Sequence, residues 1–193
     1  MIAAENMVGL LLCAGLSQRF GSSDKLLHLY RGLPLVQHAA ATISALPFRA
    51  KVAVVPARGT PLQSLLIDLG FALEHNDAPE AGQDRSLRLG MQRAIEFTPE
   101  ATLVCLGDMP LVPVEHLCAL MMAAGPDRPA ISVEGTVRSP PCVFPRIAAE
   151  RLAGAECARG RDLLDEAADL ALVTAAPGAL TDFDTLADFE SVA

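Results

Sequence analysis

The sequence predicts an α/β protein built on a mainly parallel sheet, and two observations carry that expectation. Short apolar runs alternate with segments of helical periodicity along most of the 193 residues, the pattern of repeated strand–helix–strand units. The first apolar run ends at Cys13 and breaks at Ala14-Gly15 into a loop of small and polar residues carrying two cations, Arg19 and Lys25. Loops at the carboxyl ends of buried strands are where open α/β sheets bind ligands. A Gly/Ser loop offers successive backbone N–H groups to an anion, and flanking cations complete the concavity. The physical reading is a phosphate site.

Met7–Cys13 reads as the first buried strand. Residues 26–33 read as a short hairpin-like excursion around Arg31-Gly32. Pro34 suits the first turn of a helix running to about Leu46, where Pro47 stops it. Lys51–Val55 is a second buried strand, and Thr60-Pro61 reads as the cap and first position of a helix to Leu69, with Gly70 at its end. Phe71–Glu74 is a short strand, and the polar loop 75–84 feeds a helix over about Arg85–Phe97. Thr102–Leu106 is the clearest strand, ending at Gly107-Asp108-Met109-Pro110. A helix over about Val114–Ala123 follows. Pro129–Val133 and Pro141–Phe144 flank a turn at Glu134-Gly135, close enough to pair antiparallel. Helical patterns at 145–152 and 161–168, a strand at 170–174 and a short helix from Thr185 complete the chain. Without a repeat or linker, one domain spanning 1–193 is expected.

With 51% hydrophobic residues the chain supplies a substantial core, but it has no Trp and one Tyr, so Leu, Ala and Val must fill it. The net charge of −8 argues against nucleic acid as partner. A small anionic substrate needs only a few local cations. No segment is long enough to span a membrane, and the first residues lack the basic region of a signal peptide, so a cytoplasmic protein is expected. The five cysteines, Cys13, Cys105, Cys118, Cys142 and Cys157, form no Cys-x-x-Cys pair. They read as reduced packing residues rather than a zinc or redox site.

The loop is neither of the common phosphate motifs. Gly15 and Gly21 have five residues between them where a P-loop has four, and Ser22 follows, which excludes a P-loop. Leu16-Ser17 after Gly15 excludes the dinucleotide fingerprint. Leu12-Cys13-Ala14-Gly15-Leu16-Ser17-Gln18-Arg19-Phe20-Gly21, with Asp24-Lys25 after it, instead resembles the signature of the MobA-like nucleotidyltransferases. Its spelling is most similar to the molybdenum cofactor cytidylyltransferase (MocA-like) branch. Leu-Gly-Asp-Met-Pro at 106–110 resembles that family's metal-binding motif, and Asp182-Phe183-Asp184-Thr185 its Asp-x-Asp-Thr sequence. Gly82–Met91, with Ser86-Leu87 and Gly90, resembles the cytidylyltransferase base-recognition loop; the Gly-Pro-Leu-Ala-Gly stretch of guanylyl-transferring relatives is missing. Gln83-Asp84-Arg85 departs from the small residues usual there.

The resemblance implies a Rossmann-like three-layer α/β/α sandwich of the nucleotide-diphospho-sugar transferase type. It implies metal-dependent transfer of a nucleoside monophosphate, CMP from CTP, onto the phosphate of a small acceptor, molybdopterin first, with release of pyrophosphate. A molybdoenzyme or its chaperone would be the client. The implied catalytic residues are Arg19, Lys25 and Asp108. Nucleotide contacts fall to Leu12, Ala14, Gly15, Ser17, Arg19, Lys25, Gly82, Ser86 and Asp108. Mg²⁺ or Mn²⁺ would be held by Asp108 and a second carboxylate. Period-2 alternation turns Asp182 and Asp184 the same way, so spacing does not choose between them; our reading takes Asp182 as the ligand and Asp184 as the cap of the last helix. Asp108 and Ser86 are also residue types that cap helices. Arg138, Arg159 and Arg161 are candidates for an acceptor phosphate, in a region that departs from the family pattern. Cytidylylation of methylerythritol phosphate, nucleotidylation of a sugar phosphate, and a non-catalytic nucleotide or cofactor carrier are the alternatives.

Overall fold

A computed structural model describes residues 2–15, 24–56, 60–154 and 159–191. Its centre is strand β1 (Met7–Leu12), every residue of which is buried. Alternate side chains serve opposite faces: Met7 and Leu11 join one core, Val8, Leu10 and Leu12 the other. A strand covered on both faces reads as an unbroken apolar run, which is why Val8–Leu12 is so plain in the sequence.

The hairpin expected around Arg31-Gly32 is present as β2 (Leu29–Tyr30) and β3 (Leu33–Pro34). Arg31 and Gly32 both take positive φ, 47° and 81°, the two-residue turn whose twist matches the strands it joins. Helix α1 (Leu35–Ser44), strand β4 (Ala50–Pro56), helix α2 (Pro61–Asp68) and strand β5 (Ala72–Asn76) follow. Thr60 holds the cap position of α2, but its hydroxyl makes no capping bond. Helix α3 (Gln83–Ile95) starts two residues earlier than its apolar periodicity suggests, because polar Gln83 and Asp84 form its first turn. Strand β6 (Ala101–Leu106), helix α4 (Val114–Ala123), strands β7 (Ala130–Glu134) and β8 (Val137–Pro145), helices α5 (Arg146–Gly154) and α6 (Gly160–Asp165), strand β9 (Ala171–Thr174) and helix α7 (Leu186–Ser191) complete the order.

The sheet runs β5-β4-β1-β6-β8-β7-β9. Strand β8 is antiparallel to both its neighbours, β6 and β7, and all other pairs are parallel. β8 is longer than its apolar run because it continues back through Pro140 to Val137. Its pairing with β7 shifts at Ile131/Ser132, where the partners jump from Cys142 to Ser139. Proline has no N–H for a ladder, and Ser132 Oγ instead donates to the Pro141 carbonyl at 2.6 Å.

Helices α1, α2, α4 and α7 cover one face with Val36, Ile43, Leu66, Leu120 and Phe189; α3, α5 and α6 cover the other with Met91, Leu152 and Leu164. This is the three-layer α/β/α arrangement. Gly90 lets α3 lie close on the sheet: a Cβ there would stand 2.7 Å from Leu10 Cδ1 and 2.9 Å from Val54 Cγ2. Among the described residues no helix is long and apolar enough to cross a membrane.

Candidate active site

From β1 the chain builds outward to β4 and β5, then returns across the opposite face through α3 to lay β6 on the other side of β1. The order therefore reverses between β1 and β6, and in open α/β sheets the crevice outside the carboxyl ends at such a point takes the ligand. Here it is a cleft of about 410 Å³, within the usual range for small-molecule sites. Leu12, Ala14 and Gly15 line it from the end of β1, and Leu106 and Asp108 from the end of β6. Lys25, Gly82, Ser86 and Asp184 complete its polar wall.

Lys25 opens a 3₁₀ turn (Lys25–Leu27) whose entry is fixed by Asp24 Oδ1, which accepts from Leu26 N–H at 3.0 Å. Its side chain is 9% exposed, and Nζ donates to Asp108 Oδ2 at 2.8 Å and to Asp184 Oδ1 at 2.7 Å. Burial by itself disfavours the ammonium, but the charge of Asp108 and hydrogen bonds to both carboxylates outweigh it and hold the Lys25 pKa above its ordinary value. Lys25 is therefore a cation at neutral pH.

Asp108 lies six residues before α4 begins, so it caps no helix. Asp184 reaches the site because its segment is pinned on both sides. Phe183 N–H donates to the Asp108 carbonyl at 3.0 Å, and the Phe183 ring packs edge-on against Tyr30 and Phe189, with centroids 5.0 and 5.1 Å apart. Further back, the Glu134 carboxylate accepts from Gly178 N–H at 2.8 Å and Leu180 N–H at 3.4 Å. This reverses the expectation for the acidic pair. Asp182 is exposed and does not line the cleft, whereas Asp184 does. Nor does Asp184 cap α7: Asp188 reaches back to accept from the Asp184 and Thr185 amides and the Thr185 hydroxyl.

Two hard carboxylates already gathered round one cation fit a divalent ion, which takes one or two carboxylates and leaves its other positions to phosphate oxygens and water. Among the described residues no group of three or more ligating side chains occurs.

The opposite wall is the loop before α3. Gly82, at φ 93°, makes a turn that a larger residue takes only under strain. Ser86 sits one turn inside α3, so it is not a cap, and its hydroxyl accepts from Asn76 Nδ2 at 2.9 Å. Arg85, in the stretch that departs from the family pattern, does not line the cleft; it binds Asn76 Oδ1 at 2.9 Å and pairs with Asp77. Sequence reasoning ended β5 at Glu74 and missed Asn76. The usable signal was Asn two residues before Ala78, whose amide Asn76 Oδ1 accepts at 3.1 Å, an Asx turn.

A second cleft of about 220 Å³ adjoins the first, sharing Leu12 and Gln83. Arg138 and Arg161 line it, with Arg138 paired to Asp165 at 2.8 Å. Arg159 does not line it and stands 3.9 Å from Asp84. Ser17, Arg19 and Cys157 lie outside the described residues. Of the remaining cysteines, burial pushes Cys142 up to about 12, and burial together with Asp108 raises Cys13, so both are neutral packing groups.

The sequence profile of the MobA-like NTP transferase domain matches residues 9–171. Bifunctional protein GlmU of Ralstonia pickettii is 32% identical over 120 residues, which are 61% of this chain and 25% of that protein. This chain thus matches about a quarter of the length of that relative. A nucleotidyl transferase structure from Methanothermobacter superposes with a TM-score of 0.81 at 17% identity, covering 96% of this chain and 95% of that one. The structure of 4-diphosphocytidyl-2C-methyl-D-erythritol synthase from Anaerococcus prevotii gives 0.75 at 11% identity, covering 97% and 94%. At these identities the structural likeness speaks for the fold.

Proposed function

The chain belongs to the MobA-like NTP transferase domain family, and from that premise we propose that it transfers a nucleoside monophosphate, CMP from CTP, onto the phosphate of a small acceptor, releasing pyrophosphate. The observation that carries this reading is the meeting of Lys25, Asp108 and Asp184 at the β1/β6 crevice, from positions 83 and 159 residues apart in sequence. Such chemistry proceeds by positioning and by placing positive charge where negative charge develops.

Asp108 and Asp184 would hold Mg²⁺ or Mn²⁺, which when bound offsets the triphosphate's charge. Lys25, held by the same two carboxylates, is placed to donate to phosphate oxygens as charge builds on them. Gly15 keeps the end of β1 open to close approach, and Ser86 and Gly82 face the position left for the base. Arg19 and Ser17 belong to the same phosphate loop by motif. The adjoining cleft, with Arg138 and Arg161, is the place this reading gives the acceptor. Molybdopterin is the acceptor the loop signature favours, with a molybdoenzyme or its chaperone downstream.

The test is pyrophosphate release from each NTP with Mg²⁺, in parallel with molybdopterin, methylerythritol phosphate and a sugar 1-phosphate. Turnover with CTP and molybdopterin is expected. Turnover with another acceptor moves the specificity and keeps the chemistry; nucleotide binding with no turnover under any combination makes the protein a carrier.

A further inference from the structure

The Asn76 side chain is fully buried, and its neighbours dictate which way its amide points. Oδ1 accepts from Ala78 N–H at 3.1 Å and from Arg85 Nε at 2.9 Å. A backbone amide and a guanidinium can only donate, so the oxygen must face them and the NH₂ must face Ser86, whose Oγ lies 2.9 Å away. Ser86 is thereby made an acceptor on its protein side, and its own proton has to be given elsewhere. Among the described residues no protein group takes that proton, and Ser86 lines the large cleft. A buried O–H without an acceptor is costly, so a ligand atom opposite it is favoured when it accepts and disfavoured when it donates.

We propose that Asn76 is a positioning residue that sets the polarity of the Ser86 hydroxyl, so that this wall selects a pyrimidine whose ring edge accepts a hydrogen bond. The proposal rests on reading the cleft as a nucleotide site and deepens it. Cytosine and uracil match in size, but ring N3 of cytosine carries no hydrogen and accepts, whereas N3 of uracil carries one and donates. The Asn76–Ser86 pair therefore reads cytosine over uracil through one proton. Arg85 and Asp77 serve the reading indirectly, by keeping the amide from turning over.

The substitution Asn76→Asp keeps the shape and keeps an oxygen toward Ala78 and Arg85. It also presents a second oxygen to Ser86, which must then donate to the protein and accept from the ligand. Isothermal titration of the full chain with CTP and with UTP in Mg²⁺ reads the outcome. The CTP-to-UTP affinity ratio should fall by about tenfold or more in this variant, with relative preference moving toward UTP. General loosening of the loop would weaken both nucleotides alike and leave the ratio unmoved. Ser86→Ala, which decides the matter if the first variant does not fold, should bring the ratio toward one. A wild-type preference for UTP or for a purine triphosphate overturns the proposal, as does an unchanged ratio in Asn76→Asp or, failing that, in Ser86→Ala. Failure of the wild type to bind any nucleoside triphosphate overturns the transferase reading beneath it.

Discussion

At the level of single residues, the site is a cation bracketed by two carboxylates, and its members are not interchangeable. Asp184→Ala should lower kcat/KM for nucleotidyl transfer by about 10²-fold, while Asp182→Ala stays within about threefold; steady-state kinetics on the pair separates the two. Lys25→Ala should slow the chemical step by about 10²-fold and weaken nucleotide binding far less, a split that single-turnover and equilibrium measurements resolve. Equal losses in both would make Lys25 a binding residue. Asp108 is legible in the sequence because it stands just past a strand-to-loop break, and Lys25 because it closes the motif of the loop that follows the first strand. Asp184 is not, because nothing near it distinguishes it from Asp182. What chooses is the burial of Phe183 between Tyr30 and Phe189, the first of these a contact across most of the chain. Asn76 is hidden for the same kind of reason: its three partners give it its meaning, and two of them lie on α3, which only the fold brings against the end of β5.

Among the elements, α3 and α7 carry the clearest consequences. Gly90→Ala forces a methyl group against Leu10 and Val54 and should cost about 1–3 kcal/mol in urea unfolding, with α3 and its Ser86 pushed off the sheet. At the start of α7, the Thr185 amide and hydroxyl, with the Asp184 amide, hold the Asp188 carboxyl below its ordinary pKa. A depressed carboxylate stabilises the fold above its unfolded-chain value of about 3.9 and loses that contribution as pH falls below it. Asp188→Asn should therefore lower Tm by about 2 °C at neutral pH, and the difference should shrink in calorimetry as pH falls below about 4. Among the described residues, apolar periodicity located the longer strands and helices, since each buries a continuous face, but not short turns such as Lys25–Leu27. It misjudged ends where polar or proline residues extend an element: the first turn of α3 is polar, and β8 begins four residues before Pro141.

For the whole molecule, the decisive feature is the reversal of strand order about β1, which opens one crevice to contributions from all parts of the chain. A ligand in that crevice would lie between the end of β1, the end of β6 and the return segment to α7. CTP with Mg²⁺ at about a hundred times its Kd should add about 2.7 kcal/mol and raise Tm by roughly 5–10 °C; a chelator should remove most of the shift. The parallel α/β architecture was readable from the alternation of strands and helices, but the order of the strands was not. That order depends on which side of β1 receives β6, a choice made by packing α3 against the second face. The hydrogen bond from Phe183 to the carbonyl of Asp108 has a consequence of its own. It joins two limbs far apart in sequence, so its amide proton is a native clock for their separation. Deuterium uptake at that one position, followed by mass spectrometry, records how often the crevice breathes, and slows when a nucleotide shuts it.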